Sequence, residues 1–181
     1  MRPKARARRI EMILTDVDGT LTDGKPAVLP DGQEVKSYHV QDGQAVLLAQ
    51  LAGLKLGIIT GKTSKAFEHR AARLKIEEVH QGALDKRPVF RRILKKHGLR
   101  ADEAAYIGDD LGDLAVLKEA ELSAAVADAH PSVRREVHHL CKKKGGEGAF
   151  REFADFILGA QNKGGLITEK FADIFDRKGP L

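Results

Sequence analysis

The chain has 181 residues, 42% of them apolar, and is long enough to bury one hydrophobic core. Its 31 Lys and Arg residues and 26 Asp and Glu residues give a net charge of only +5, and it has two Tyr and no Trp to stack on bases, which argues against a nucleic-acid partner. No apolar run approaches the roughly 20 residues of a membrane span, and the basic N terminus lacks the apolar run of a signal peptide. Cys141 has no second cysteine to pair with, which fits a cytoplasmic protein.

Residues 1–9 are rich in Arg and Lys, and we interpret them as a solvated basic tail. From residue 10 to residue 160, apolar runs of strand length alternate with segments of helical periodicity. We predict strands at 10–15, 54–60, 78–81, 104–108 and 122–127. We predict helices at 43–52, 64–74, 86–97, 111–120, 131–137 and 148–160. This alternation indicates one α/β domain, a doubly wound, Rossmann-like parallel sheet with helices on both faces.

Two segments depart from the alternation. Residues 24–40 contain two strand-like pieces around Asp31-Gly32, a dipeptide typical of tight turns, so we predict a β-hairpin inserted after the first strand. Residues 161–181 begin with Lys163-Gly164-Gly165, and we predict a flexible, loosely tethered C-terminal tail.

Polar side chains of complementary types follow four of the predicted strands. They are Asp16 and Asp18 after the first strand, Thr60 and Gly61 after the second, Lys86 after the third, and Asp109, Asp110 and Asp113 after the fourth. Ligands of open α/β sheets bind at the carboxyl ends of the strands, so these groups are expected to converge there. Asp-rich turns are also ordinary loop chemistry, but four such signals are harder to attribute to chance than one.

These residue types suit the hydrolysis of a phosphate ester. A two-step hydrolysis needs a carboxylate nucleophile, a proton donor for the leaving alkoxide, and cations that neutralise the phosphoryl oxygens. Several carboxylates around one phosphate would repel it, so a divalent cation is expected. Mg²⁺ prefers carboxylate, carbonyl and water oxygens.

The four motifs, DxDG, an apolar run ending in Thr, a Lys and GDDxxD, resemble those of the haloacid dehalogenase superfamily. The resemblance implies a Mg²⁺-dependent phosphatase with Asp16 as nucleophile and Asp18 as general acid and base. It also implies that Asp16, the backbone carbonyl of Asp18 and Asp109 bind Mg²⁺. Asp110 and Asp113 would then lie outside the metal ligands, with Asp113 orienting Lys86.

The same resemblance assigns the phosphoryl group to three residues. Thr60 would bind it through its hydroxyl and the adjacent backbone N–H of Gly61, and Lys86 would bind it through its charge. Taken alone, Lys86 would be read as a solvated surface lysine.

No cap domain fits between the motifs, because the first gap holds only the hairpin and one helix and the last gap holds a single helix. This pattern resembles the capless subfamily that contains 3-deoxy-octulosonate 8-phosphate phosphatases, in which hairpins assemble a tetramer and a neighbouring subunit covers each site. The resemblance implies a sugar-acid phosphate as substrate and a homotetramer. It further implies that Arg70 and Arg73 reach a neighbouring active site, and that Lys62 occupies a substrate-selecting position.

Three alternatives remain beside this interpretation. Members acting on eight-carbon acids commonly have Arg at the position of Lys62, and some acting on nine-carbon acids have Glu. This chain has neither residue there, so a nine-carbon ketoaldonate 9-phosphate is the alternative substrate. A non-catalytic oligomerisation module of the same fold is the second. A phospho-acceptor signalling domain is the third, but such domains lack the second acid, Asp18, because they have no leaving alcohol to protonate.

Overall fold

The computed structural model describes residues 2–178, so the predictions for Met1 and for residues 179–181 lie outside the described residues. Its main sheet has six parallel strands in the order β5-β4-β1-β6-β7-β8, and β2 and β3 form a separate antiparallel hairpin. The strands are β1 (Met12–Thr15), β2 (Ala27–Val28), β3 (Glu34–Val35), β4 (Lys55–Ile59), β5 (Glu78–His80), β6 (Ala104–Gly108), β7 (Leu122–Ala125) and β8 (His139–Leu140).

Helices cover both faces of this sheet. They are α1 (Pro3–Ala7), α2 (Val40–Leu51), α3 (Lys65–Arg73), α4 (Lys86–His97), α5 (Leu114–Leu117), α6 (Pro131–Glu136), α7 (Ala149–Ala160) and α8 (Gly164–Lys178). Parallel strands joined by right-handed crossovers place α2 and α3 on one face and α4, α5 and α6 on the other. Helix α7 packs against α2, and α5 packs against both α4 and α6.

Helix α4 shows how local sequence fixes an element. The Asp85 carboxylate accepts a hydrogen bond from the Arg87 backbone N–H at 3.2 Å and so caps the first turn. Gly98 ends the helix in the left-handed conformation, which glycine adopts without strain. One face is apolar and buried, through Val89, Phe90, Ile93 and Leu94. The helix therefore begins at Lys86, the residue after the Asp85 cap.

Strand β1 lies at the centre of the sheet, and all four of its residues are buried. Gly57 of β4 pairs with Leu14, and a Cβ atom at Gly57 would lie 2.5 Å from a Leu14 methyl carbon, so a larger residue there would displace the Leu14 side chain. The chain order reverses between β1 and β6, which makes the crevice at their carboxyl ends the expected ligand site of such a sheet. Asp16 and Asp109 follow these two strands.

The parallel sheet, the helices on both faces and the inserted hairpin confirm the predicted fold. The prediction missed β8, which has only two residues and so gives no periodic signal. The helix predicted at 111–120 is shorter, because Leu111–Asp113 forms a 3-10 turn and only Leu114–Leu117 is α-helical. Within the described residues no cap domain is present.

The N-terminal segment differs from the predicted solvated tail. Pro3–Ala7 forms α1, which packs against α7 and buries Ala7. Arg6 forms an ion pair with Glu121 at 3.2 Å, and Arg9 forms one with Asp102. The prediction failed because these arginines have acidic partners more than 90 residues away in the chain.

The segment after residue 160 also differs from the prediction of a loose tail, since Gly164–Lys178 forms α8. Lys163 and Lys170 donate to the carbonyls of Ala52 and Leu51 at 2.8 and 2.7 Å, which joins α8 to the C-terminal end of α2. Ile167 packs against the core. Among the described residues, no helix has the length and apolar content needed to cross a bilayer.

Candidate active site

Three carboxylates converge at the carboxyl ends of β1 and β6. Oxygen atoms of Asp16, Asp109 and Asp113 all lie within 4.8 Å of one another. This approach depends on Gly19, because a Cβ atom there would lie 2.2 Å from Oδ2 of Asp109, and because the backbone of Gly19 has a positive φ of 91°. The turn after β1 can therefore close onto Asp109 only with glycine at this position.

Lys86 joins two of these acids. Its Nζ donates to Oδ1 of Asp16 at 2.6 Å and to Oδ1 of Asp113 at 2.7 Å, and all three residues are buried. The start of α4 brings the lysine there, since Lys86 is its first residue. A buried ammonium requires charged partners, so the ordinary reading of Lys86 as a solvated surface lysine is excluded.

Asp113 is fully engaged by hydrogen bonds. Its Oδ1 accepts from the Tyr106 hydroxyl at 2.7 Å as well as from Lys86. Its Oδ2 accepts from the backbone N–H groups of Asp109 and Asp110, at 3.1 and 3.2 Å. Asp113 therefore orients Lys86 and holds the loop that carries Asp109. The exposed Asp110 caps the following turn by accepting from the N–H of Leu111 at 2.8 Å.

Burial and mutual repulsion make these acids difficult to ionise together. Burial raises the pKa of Asp16 above its ordinary value; Lys86 opposes this effect and the charge of Asp113 adds to it. Burial also raises the pKa of Asp109, and the charges of Asp16 and Asp113 raise it further. Burial alone would lower the pKa of Lys86, but the carboxylates of Asp16 and Asp113 outweigh it and raise that pKa. A cluster with this excess of negative charge suits a hard divalent cation, and carboxylate oxygens are the donors that Mg²⁺ prefers.

The predicted site residues of β1, β4, α4 and β6 line one cleft of about 230 Å³. They are Asp16, Asp18, Thr60, Gly61, Lys62, Lys86, Asp109, Asp110 and Asp113. Thr60 is held at the end of β4 by its backbone, which donates to the carbonyl of His80 at 2.9 Å and accepts from the N–H of Ala83 at 3.0 Å. The cleft thus combines acids, a hydroxyl and two lysines.

Arg70 and Arg73 lie away from this cleft. The Arg70 guanidinium lies 5.7 Å from the centre of the Tyr38 ring and packs beside Gly43, between α2 and α3. Arg73 is exposed near the end of α3, where it lines a surface hollow together with Val40 and Leu74. The expectation for both residues concerns a neighbouring subunit, so it stays a prediction.

Two contacts of the cleft had no counterpart in the sequence analysis. Lys36 follows β3, and its Nζ donates to Oδ1 of Asp18 at 2.6 Å although most of the hairpin is exposed. The Thr20 hydroxyl donates to Oδ1 of Asp109 at 3.1 Å. Thr20 adjoins the DxDG motif and could have been suspected. Nothing in the sequence pairs Lys36 with Asp18, because the turn of the hairpin decides that contact.

Comparison with known proteins agrees with this geometry. Residues 75–153 match the family described as haloacid dehalogenase-like hydrolase. The chain is 39% identical over 158 residues to the 3-deoxy-D-manno-octulosonate 8-phosphate phosphatase KdsC of Yersinia pestis, an alignment that covers 87% of this chain and 84% of that protein. The chain belongs to the haloacid dehalogenase-like hydrolase family.

Solved structures of the family extend the agreement to three dimensions. The Y. pestis phosphatase superposes with a TM-score of 0.87 and 39% identity, covering 88% of this chain and 86% of that one. The corresponding phosphatase of Moraxella catarrhalis, solved with a magnesium ion, a phosphate ion and a KDO molecule, gives a TM-score of 0.90 and 36% identity, covering 93% and 97%. The chain is accordingly an enzyme, a haloacid dehalogenase-like hydrolase of phosphoric monoesters.

Proposed function

We propose that this hydrolase releases phosphate from 3-deoxy-D-manno-octulosonate 8-phosphate, a lipopolysaccharide precursor, through a phosphorylated Asp16 and with Mg²⁺ as cofactor. The observation that carries the proposal is the approach of Asp16 to Asp109, with Lys86 2.6 Å from the Asp16 carboxylate. Phosphatase relatives at 38–39% identity support the choice of substrate.

In the first step, an Asp16 oxygen attacks the phosphorus atom. The bond between phosphorus and the sugar oxygen breaks, and Asp18 gives its proton to that oxygen, so the sugar leaves as an alcohol. Lys86 and Thr60 hold the phosphoryl oxygens while Asp113 fixes Lys86. Lys86 also keeps Asp16 in place between turnovers.

In the second step, the Asp18 carboxylate takes a proton from water, and that water attacks the phosphorus atom of phospho-Asp16. Phosphate leaves, and both carboxylates return to their starting state. Mg²⁺, bound by the Asp16 side chain, the Asp18 carbonyl and Asp109, would neutralise the charge on the phosphoryl oxygens. The shared acid cluster supports this ligand set.

A homotetramer is part of the proposal, because one chain leaves the cleft open. The hairpin exposes Val28, Leu29 and Val35, apolar side chains that isolated hairpins cannot bury alone. Pairing of hairpins between subunits would cover these side chains and bring a neighbour to each cleft. Arg70 and Arg73 of that neighbour, with Lys62 of the same chain, are proposed to bind the sugar carboxylate. A cytoplasmic location is proposed as well, since the buried Cys141 is an unpaired thiol.

A phosphate-release panel tests the proposal. The eight-carbon phosphate should be turned over faster than nine-carbon ketoaldonate 9-phosphates and hexose 6-phosphates, and chelation of Mg²⁺ should stop the reaction. Asp16→Asn should be inactive while keeping the fold. A preference for a nine-carbon substrate would change the substrate but leave the mechanism, whereas full activity of Asp16→Asn would remove the proposed nucleophile.

A further inference from the structure

A second group of possible metal ligands lies at the edge of the sheet, away from the cleft. His139 belongs to β8, Cys141 follows that strand, and Glu152 lies in the first turn of α7. One nitrogen, one sulfur and one carboxylate oxygen of these residues lie within 4.8 Å of one another. These nitrogen, sulfur and oxygen ligands differ from the oxygen-only set proposed for the active site.

The Nε2 atom of His139 is buried and has no hydrogen-bond partner within the described part of the chain. Its ring stacks on Phe156 and Phe153, with centroids 4.5 and 5.9 Å apart, which fixes its orientation. Burial lowers the pKa of His139, so the ring is neutral near pH 7. A buried polar atom without a partner requires an explanation, and a neutral imidazole nitrogen is a common metal ligand.

The other two residues are held in place beside it. The Glu152 carboxylate accepts from the backbone N–H groups of Lys142 and Lys143 at 2.9 and 3.0 Å, and its oxygens keep further lone pairs. The Cys141 thiol is buried and donates a weak hydrogen bond of 3.7 Å to the carbonyl of Ala149. Burial raises the pKa of Cys141 to about 12, so a cation would have to displace the thiol proton to solvent.

We propose that His139, Cys141 and Glu152 bind a zinc-type divalent cation, with water as the fourth ligand. Imidazole and thiolate favour Zn²⁺ or Co²⁺ over Mg²⁺, which takes oxygen ligands. Thiolate and carboxylate together neutralise the two charges of the cation. Binding needs the three ligand atoms to close to about 3.5 Å, the spacing set by metal–ligand bonds of roughly 2.0–2.3 Å.

The site would fix a loop that packs on the catalytic turn. Residues 142–148 connect Cys141 to α7, and the Gly146 N–H in this loop donates to the carbonyl of Thr20 at 3.0 Å. Gly145 approaches Gly19 so closely that a Cβ atom there would lie 1.9 Å from the Gly19 carbonyl oxygen. A cation bound at both ends of the loop would therefore stabilise the turn beside Asp109, without taking part in the reaction.

Cobalt titration of the reduced full-length protein tests this inference. The protein is first stripped with a chelator, and Mg²⁺ is then added in excess to compete at the active site. We expect one equivalent of Co²⁺ to produce a thiolate-to-cobalt charge-transfer band in the near ultraviolet, because only Cys141 can supply a thiolate. Asp109→Asn, which weakens the active-site metal ligands, should keep the band.

Two variants separate ligation from packing. His139→Phe keeps an aromatic ring against Phe156 but removes the nitrogen, and it should weaken cobalt binding at least ten-fold, whereas the exposed His69→Gln should leave binding unchanged. Cys141→Ser should abolish the thiolate-to-cobalt charge-transfer band, because serine has no sulfur atom. Absence of the band in the wild-type protein, its loss in Asp109→Asn, or unchanged affinity in His139→Phe would each overturn the proposal.

Discussion

Buried carboxylates occur at both ends of the sheet, and their pKa values are shifted in opposite directions. At the carboxyl end, Asp16, Asp109 and Asp113 share Lys86, and burial raises the pKa of Asp16 and of Asp109. At the amino end, Glu78 of β5 is surrounded by basic side chains. Its partners are Lys96 at 2.5 Å, and His80 and His97 at 2.9 Å each.

The balance of charges explains the difference. Burial alone would raise the pKa of Glu78, but hydrogen bonds from Lys96, His80 and His97 outweigh it and lower the pKa to about 2. The Glu78 cluster is complete within one chain and favours the folded state. The Asp16 cluster has more negative charge than its lysine can neutralise, so it disfavours the folded state until a cation binds. Substitutions in the Asp16 cluster should therefore affect mainly activity, and substitutions in the Glu78 cluster should affect mainly stability.

The largest effect is expected from Asp16→Asn. Loss of the proposed nucleophile should lower kcat/KM by roughly 10⁴-fold or more. The metal-free variant should unfold at the same or a higher temperature, because one of three mutually repelling acids is gone and Lys86 keeps Asp113. Phosphate release and thermal unfolding followed by circular dichroism measure the two quantities.

The exposed Asp173→Asn is the control for that variant and should change neither quantity. A fall in the unfolding midpoint of about 5 °C or more, roughly 1–2 kcal/mol for a chain of this size, would contradict the idea that Asp16 is retained for chemistry at the expense of stability.

The reverse pattern is expected from Glu78→Gln. Removing the charge leaves three basic side chains around a buried amide, and the free energy of unfolding should fall by about 2–3 kcal/mol. The kcat/KM of the folded enzyme should stay within about two-fold of the wild-type value, the usual spread for substitutions away from an active site. Urea unfolding and phosphate release measure both, and the exposed neighbour Glu77 provides the control Glu77→Gln. A large loss of activity without a loss of stability would show that the two ends of the sheet are not separable in this way.

Lys36→Met tests a contact that belongs to the active site but comes from the hairpin. Lys36 donates to Oδ1 of Asp18, so its loss should disorder the proposed proton donor and lower kcat about ten-fold, a fraction of what general acid catalysis contributes. The effect on kcat/KM should be larger for a sugar phosphate than for an aryl phosphate, whose leaving group needs no proton. Lys36→Arg should recover part of the loss, and the exposed Lys25→Met should have no effect. Equal losses with both substrates would indicate that Lys36 only supports the hairpin.

These contacts also indicate what sequence can and cannot reveal. Asp16, Thr60, Lys86 and Asp109 were predictable as a group: three of them directly follow a strand, Lys86 begins the helix after β5, and parallel strands deliver their ends to one edge. The Lys36 contact and the Glu78 cluster were not predictable, since they depend on how a hairpin turns and on how α4 lies across the sheet. The same holds for α1, whose basic sequence suggested a solvated tail, and for α8, where Lys163-Gly164-Gly165 suggested a loosely tethered one. Tertiary contacts to Glu121 and to the end of α2 hold them on the fold.

The smallest effect, and the most direct comparison of the two clusters, is the pH dependence of stability without metal. A carboxyl group with a raised pKa binds its proton more tightly in the folded state, so Asp16 and Asp109 make the metal-free protein less stable as pH rises from about 4 towards 8. Glu78 acts in the opposite sense, because its stabilisation is present above its unfolded pKa of about 4.5 and is lost as pH falls towards 2. Urea midpoints across this range should fall towards high pH, and Mg²⁺ should remove that fall. Asp109→Asn should weaken the pH dependence of the urea midpoint at high pH, and Glu78→Gln should weaken it at acid pH. A single variant that weakens both would mean that the two clusters are coupled through the sheet.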